Sequence, residues 1–202
     1  VPTVHLALYD TLADWEYGYV AAGINNPEFQ LTPGEFRIVT VGASTDPITT
    51  LGGIRMVPDI ALPEVDPTDS AMLVLPGAQT WESDNDDFVE AARRWVSADV
   101  PVAGICGATI GLARGGLLDD RAHTSNAAEQ LAPTGYRGAG HYVDAPAVTG
   151  RGVITAAAVA PVEFAREIFA QLRIYDEAVL DAWYQLYGHR DPSGFYRLAG
   201  QQ

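Results

Sequence analysis

The chain contains no lysine. All 12 of its basic residues are arginine, set against 26 acids in 202 residues, for a net charge of −14. A Schiff-base mechanism through a lysine amine is therefore excluded. No basic patch exists to neutralise phosphates, so a nucleic acid is not an expected partner. Cysteine occurs once, at position 106. One cysteine makes no internal disulfide and no thiolate zinc cage, which fits a reducing, cytoplasmic setting. No apolar run approaches the roughly 20 residues that span a bilayer, so no membrane partner is expected. No signal-peptide pattern is visible, and the chain opens at Val1, which is compatible with a processed start. No His/Asp/Glu spacing suggests a metal site. The glycine-rich stretches lack the lysine of a phosphate-binding loop and the spacing of a dinucleotide fingerprint, so no cofactor is expected.

What is present reads as a soluble globular domain. Hydrophobic residues make up 48% and mean hydropathy is near zero. One domain over residues 1–202 is expected, with a core over about 4–172 and a C-terminal helix and tail at 173–202. Short apolar runs at 4–9, 36–41, 71–75 and 100–105 read as buried strands. Residues 14–24, with Asp14 as cap, 84–97, 107–113, 161–172 and 176–186 read as helices. Residues 48–57 read as an edge hairpin, 122–125 as a short strand, and 142–148 and 152–158 as alternating strands. The tail from His189 is expected to be peripheral. Strands alternating with helices imply a parallel sheet covered on both faces, with ligands at the carboxyl ends of its strands.

Cys106 stands where the apolar strand 100–105 gives way to a small, apolar helix. A lone cysteine is either inert core filler or a nucleophile. A sharp strand-to-helix turn strains its central residue and needs small neighbours, and Gly104, Gly107 and Ala108 are small. This is the logic of a nucleophile elbow, with cysteine for serine. Partial positive charge at the helix start is expected to lower the thiol's pKa.

The run Val102-Ala103-Gly104-Ile105-Cys106-Gly107-Ala108-Thr109 resembles the cysteine elbow of the DJ-1/PfpI (ThiJ/PfpI) family, a branch of the class I glutamine amidotransferase-like superfamily. Residues Leu112 to Arg121, Tyr9-Asp10 through Asp14-Trp15-Glu16, Leu73-Val74-Leu75-Pro76-Gly77-Ala78, Asp144 to Val148 and Val153-Ile154-Thr155-Ala156 resemble further family motifs in the same order. The resemblance covers roughly residues 4–172. It implies a flavodoxin-like α/β three-layer sandwich with a central, mostly parallel sheet, and commonly a homodimer. The aromatic stripe of the last helix can serve core or interface.

The resemblance also implies roles for individual residues. Glu16 matches the acid that hydrogen-bonds the cysteine sulfur and can carry its proton, against the plainer reading of an exposed acid in a first helical turn. Gly77, Ala78 and Gly107 match the positions whose backbone N–H groups form an oxyanion hole. Asn126 stands where the family often has a histidine. It can orient a substrate but cannot accept a proton at neutral pH. His123 lies three residues earlier, an offset that turns it away from the site. Trp15 and Trp81 can wall the pocket or pack elsewhere. The expectation is a cysteine-dependent hydrolase or lyase, lacking a triad histidine, that acts on a small carbonyl or amide substrate in a glyoxalase-, deglycase- or hydrolase-like way. The alternatives are a redox-sensing stress-response protein without turnover, whose thiol stops at sulfinic acid, and a non-catalytic binding module.

Overall fold

A computed structural model describes residues 1–200. Seven strands form one sheet: β1 (Thr3–Ala7), β2 (Arg37–Gly42), β5 (Ile60–Ala61), β6 (Ser70–Leu75), β7 (Val102–Ile105), β8 (Ala147–Thr149) and β9 (Val153–Ala156). Their order is β5-β2-β1-β6-β7-β9-β8. Every pairing is parallel except β8 with β9. Numbered among themselves, the five central strands run 2-1-3-4-5, the flavodoxin-like order. The hairpin β3 (Ile48–Thr49) and β4 (Arg55–Met56) stands apart as a two-stranded sheet. The helices are α1 (Gly18–Asn25), α2 (Asp86–Ser97), α3 (Gly107–Arg114), α4 (Ala128–Leu131), α5 (Pro161–Leu172), α6 (Glu177–Tyr187) and α7 (Ser193–Ala199).

The period of two along each strand sorts side chains into two cores. On β6, Leu73 and Leu75 join Trp81, Phe88, Trp95 and Leu112 under α2 and α3. Met72 and Val74 face the other way, onto Val20, Phe164, Ile168 and Phe169 of α1 and α5. The second core runs past Leu172, because Tyr175, Val179, Leu180 and Trp183 are buried in it.

Several elements differ from the sequence reading. Helix α1 begins at Gly18, and Asp14 does not cap it. The Asp14 carboxylate accepts the Gly52 N–H at 2.7 Å. Residues 14–15 form a turn and 16–17 a bend instead. Residues 122–125 form only a single bridge, His123 to Tyr142. The strand expected at 142–148 is confined to β8, following a bend at Ala145-Pro146. The tail holds α7, which docks on α6 with Gly194 and Leu198 buried. A Cβ at Gly194 would lie 2.6 Å from both Ala182 O and Leu186 N, so the close approach requires glycine.

Candidate active site

Three loops leave the carboxyl ends of adjacent strands and converge at one place. After β1 the chain turns through Ala13, whose N–H donates to Gly77 O at 2.8 Å. This stitches the β1 loop to the end of β6 and carries Glu16 inward, where it is only 1% exposed. After β6, Pro76 breaks the ladder. The Trp81 Nε1–H donates to Pro76 O at 3.0 Å, and the Tyr9 hydroxyl donates to the same carbonyl. After β7 comes Cys106 at φ 57°, ψ −124°. A non-glycine residue in this region carries strain on the order of 1–3 kcal/mol, held only because its surroundings over-determine it. They do here. Thr109 Oγ1 donates to Cys106 O at 2.6 Å and pairs with Ser125 Oγ at 2.7 Å, a buried strut beneath the elbow.

Gly77 is the hinge of the geometry. Its N–H donates to Glu16 Oε2 at 2.6 Å. A Cβ added there would sit 2.6 Å from both Cys106 Cβ and Glu16 Oε2, and 3.0 Å from Cys106 Sγ. Carboxylate and sulfur thus press on the same small volume, which only glycine leaves open. The other carboxylate oxygen, Glu16 Oε1, is buried with no partner among the described residues. The Asn126 Nδ2 lies 3.5 Å from Cys106 Sγ. Its Oδ1 accepts the Ala158 N–H at 2.8 Å, which fixes the amide with its NH₂ toward the sulfur. Gly107 packs so tightly that a Cβ would meet Ala78 O at 2.9 Å.

The electrostatics refine the elbow argument. Burial pushes the Glu16 carboxyl above its ordinary range, while bonds from the Gly77 N–H and the Cys106 thiol pull it back. Burial also pushes the Cys106 thiol up, and the Glu16 charge pushes it further; the Asn126 and Gly107 donors only partly offset this. The expected depression of the thiol is therefore corrected: desolvation and a neighbouring acid outweigh the helix start. Both shifts act toward the uncharged forms of the two groups.

The half-buried Cys106 opens on a cavity of about 360 Å³. Glu16, Gly77, Ala78, Gly107 and Asn126 all line it, so the structure brings the sequence-selected residues together. Trp15 and Trp81 are both in the wall, Trp15 54% exposed and Trp81 fully buried. His123 is not. It is completely buried, its Nδ1 2.8 Å from Arg121 O and its Nε2 3.4 Å from the Tyr136 hydroxyl, with Tyr136 and Tyr142 edge-on to its ring. The sequence reading missed Leu51, Glu82, Ile110 and Gln130 in the lining and the Thr109–Ser125 strut. Among the described residues no group of three or more His, Cys, Asp or Glu converges to hold a metal ion.

Comparison with known proteins agrees over nearly the whole chain. The DJ-1/PfpI family profile matches residues 2–171. A Bacillus subtilis (strain 168) relative, "Uncharacterized protease YoaZ", is 36% identical over 199 residues, covering 96% of this chain and 95% of the relative. A second from the same organism, "Uncharacterized protease YdeA", is 30% identical over 167 residues, covering 82% and 80%. The crystal structure of a thiJ/pfpI family protein from Bacillus anthracis superposes with a TM-score of 0.90 at 35% identity, covering 98% of this chain and 96% of that one. With a DJ-1 superfamily protein from Agrobacterium tumefaciens the TM-score is 0.84 at 34% identity, covering 94% and 100%. Fold, motif order and relatives together mean that this chain belongs to the DJ-1/PfpI family.

Proposed function

We propose that this protein is a cysteine-dependent enzyme acting on a small carbonyl or amide substrate. One observation carries the reading: a strained cysteine faces a buried carboxylate whose Oε2 is held in place by a backbone N–H and whose Oε1 has no hydrogen-bond partner among the described residues. As Cys106 Sγ attacks the substrate carbonyl carbon, its proton passes to Glu16 Oε1 or Oε2. The carbonyl π pair moves onto oxygen. Glu16 thus serves as the base that a triad histidine would otherwise supply. Its raised pKa suits a group that must take a proton and give it back. With an aldehyde, Glu16 then returns the proton to that oxygen and the product is a hemithioacetal. With an amide, Glu16 returns the proton to the leaving nitrogen and water later releases the acyl group from sulfur.

The oxyanion is received by the Ala78 and Gly107 N–H groups. The Gly77 N–H is already spent on Glu16 Oε2, so its part is to fix the base rather than the oxyanion. Asn126, locked by Ala158, steadies sulfur and substrate. The names of the two Bacillus subtilis relatives include "protease", which supports hydrolysis within the amide branch. Peroxide sensing without turnover ranks second, because sensor thiols are low-pKa thiolates and this thiol is pushed up. A homodimer in cytoplasm is part of the same proposal.

The test is turnover of methylglyoxal and of a panel of small amides and peptide amides. Cys106→Ala is expected to abolish product formation. An activity that survives Cys106→Ala, or no turnover across the panel, removes this reading.

A further inference from the structure

The cysteine cavity is charged on one side only. Its lining holds the buried Glu16 and the exposed Glu82, the latter in a short turn, Gln79–Glu82. Glu82 is exposed and its carboxylate has neither ion pair nor hydrogen bond among the described residues. Among the described residues no arginine or histidine lines the cavity. Arg114, from the helix that supplies the Ile110 wall, turns away. Its guanidinium binds Trp81 O, Asp84 O and the Asp86 carboxylate. The uncommitted Glu16 Oε1 adds a buried acceptor that points to a ligand proton. The remaining polar lining, such as Gln79 and Gln130, is neutral. Beyond the cavity the chain as a whole carries −14.

A cleft lined by one sign of charge concentrates ligands of the other sign and repels its own. The geometry points to a substrate that is neutral or, better, positively charged near its reactive carbonyl, such as an amine-bearing amide, with Glu82 as the residue that sets this preference. Substrates carrying a carboxylate beside the carbonyl are rejected, because no guanidinium, ammonium or imidazole awaits it. This deepens the proposed function and rests on Cys106 being an accessible nucleophile.

The preference can be read without knowing the substrate. Three methanethiosulfonates with the same reactive group and a trimethylammonium-ethyl, a neutral or a sulfonato-ethyl arm react with Cys106. The sulfur forms a disulfide to the arm and methanesulfinate leaves. Rates are divided by those of 2-mercaptoethanol with the same reagent. The expected order is cationic, neutral, anionic, with the cationic-to-anionic ratio about tenfold at low salt, the size that two nearby solvated charges provide. Glu82→Gln should cut that ratio at least threefold, and 0.5 M NaCl should shrink it further. Glu35→Gln, an exposed acid outside the cavity, should leave it unchanged and separates local charge from net charge. A ratio at or below one, or a ratio indifferent to Glu82→Gln, overturns the preference while leaving the nucleophile intact. A folded protein whose thiol reacts with none of the three overturns the nucleophile itself, and the preference with it.

Discussion

Two buried polar centres in this fold treat their hydrogen bonds in opposite ways. His123 is fully buried, and both of its ring nitrogens face partners inside a frame of two tyrosines. Glu16 is buried just as deeply, yet one of its oxygens has no partner and its neighbour is a strained cysteine. A satisfied polar centre stabilises and specifies a fold. An unsatisfied one costs stability and is kept where something else must bind. The difference separates a structural group from a chemical one without reference to residue type, since histidine is the commoner catalyst and here it is the structural member.

The largest effect should follow from removing the unsatisfied centre's proton chemistry. Glu16→Gln keeps the shape and is expected to lower turnover by about 10²–10⁴-fold, with thermal unfolding unchanged or slightly raised. It should also move the Cys106 titration downward, because the Glu16 charge is one of the causes holding the thiol up. The rate of iodoacetamide labelling against pH checks this, and an upward shift would contradict the arrangement. His123→Ala should do the reverse. Loss of a buried, bonded ring is expected to cost about 2–4 kcal/mol in urea unfolding, while labelling of Cys106 keeps its rate.

Backbone positions extend the contrast at smaller scale. A methyl at Gly77 would strike Cys106 and Glu16 at 2.6 Å, so Gly77→Ala should cost about 1–3 kcal/mol and spoil labelling together with it. At Gly18 nothing lies within 4 Å of the added carbon. Gly18→Ala, at the first residue of α1, should gain at most about 1 kcal/mol and leave the site alone. Comparative melts and labelling of the two variants decide the point.

Much of this was legible in the residues. The apolar runs around β1, β6 and β7, the Pro76-Gly77 stop and the small residues after Cys106 mark the parallel sheet and the elbow, because strand burial and tight turns leave local signatures. Glu16, Gly77, Ala78, Gly107 and Asn126 do meet in one cavity. What was not legible depends on contacts remote in sequence. Asp14 looked like a helix cap until Gly52 claimed it. Leu51 reaches the cavity because its N–H bonds Leu12 O at 2.9 Å across 39 residues. Helix α7 carries a weak local pattern and forms against α6. The direction of the thiol's pKa departs from the helix-start expectation for the same reason: a helix start is a local feature, whereas burial and the Glu16 charge are tertiary ones.

The finest distinction between the two centres is the sign of their pH dependence. Glu16 has a folded pKa above its ordinary 4.5. Its contribution to stability is present below that ordinary value and is lost as pH rises through the raised folded one, where a carboxylate must be held ionised out of water. His123 has a folded pKa below its ordinary 6.5, burial being the main cause. Its contribution is present above 6.5 and is lost as pH falls through the lowered folded value. Urea unfolding at pH 4, 5, 6 and 7.5 therefore separates them. Relative to wild type, Glu16→Gln should become progressively more stable from pH 4 upward. The deficit of His123→Ala should instead be largest at pH 7.5 and narrow toward pH 5. Two curves of the same sign would mean that Glu16 is as well satisfied as His123, and the argument that unpartnered carboxylate marks the reactive side of this fold would fail with it.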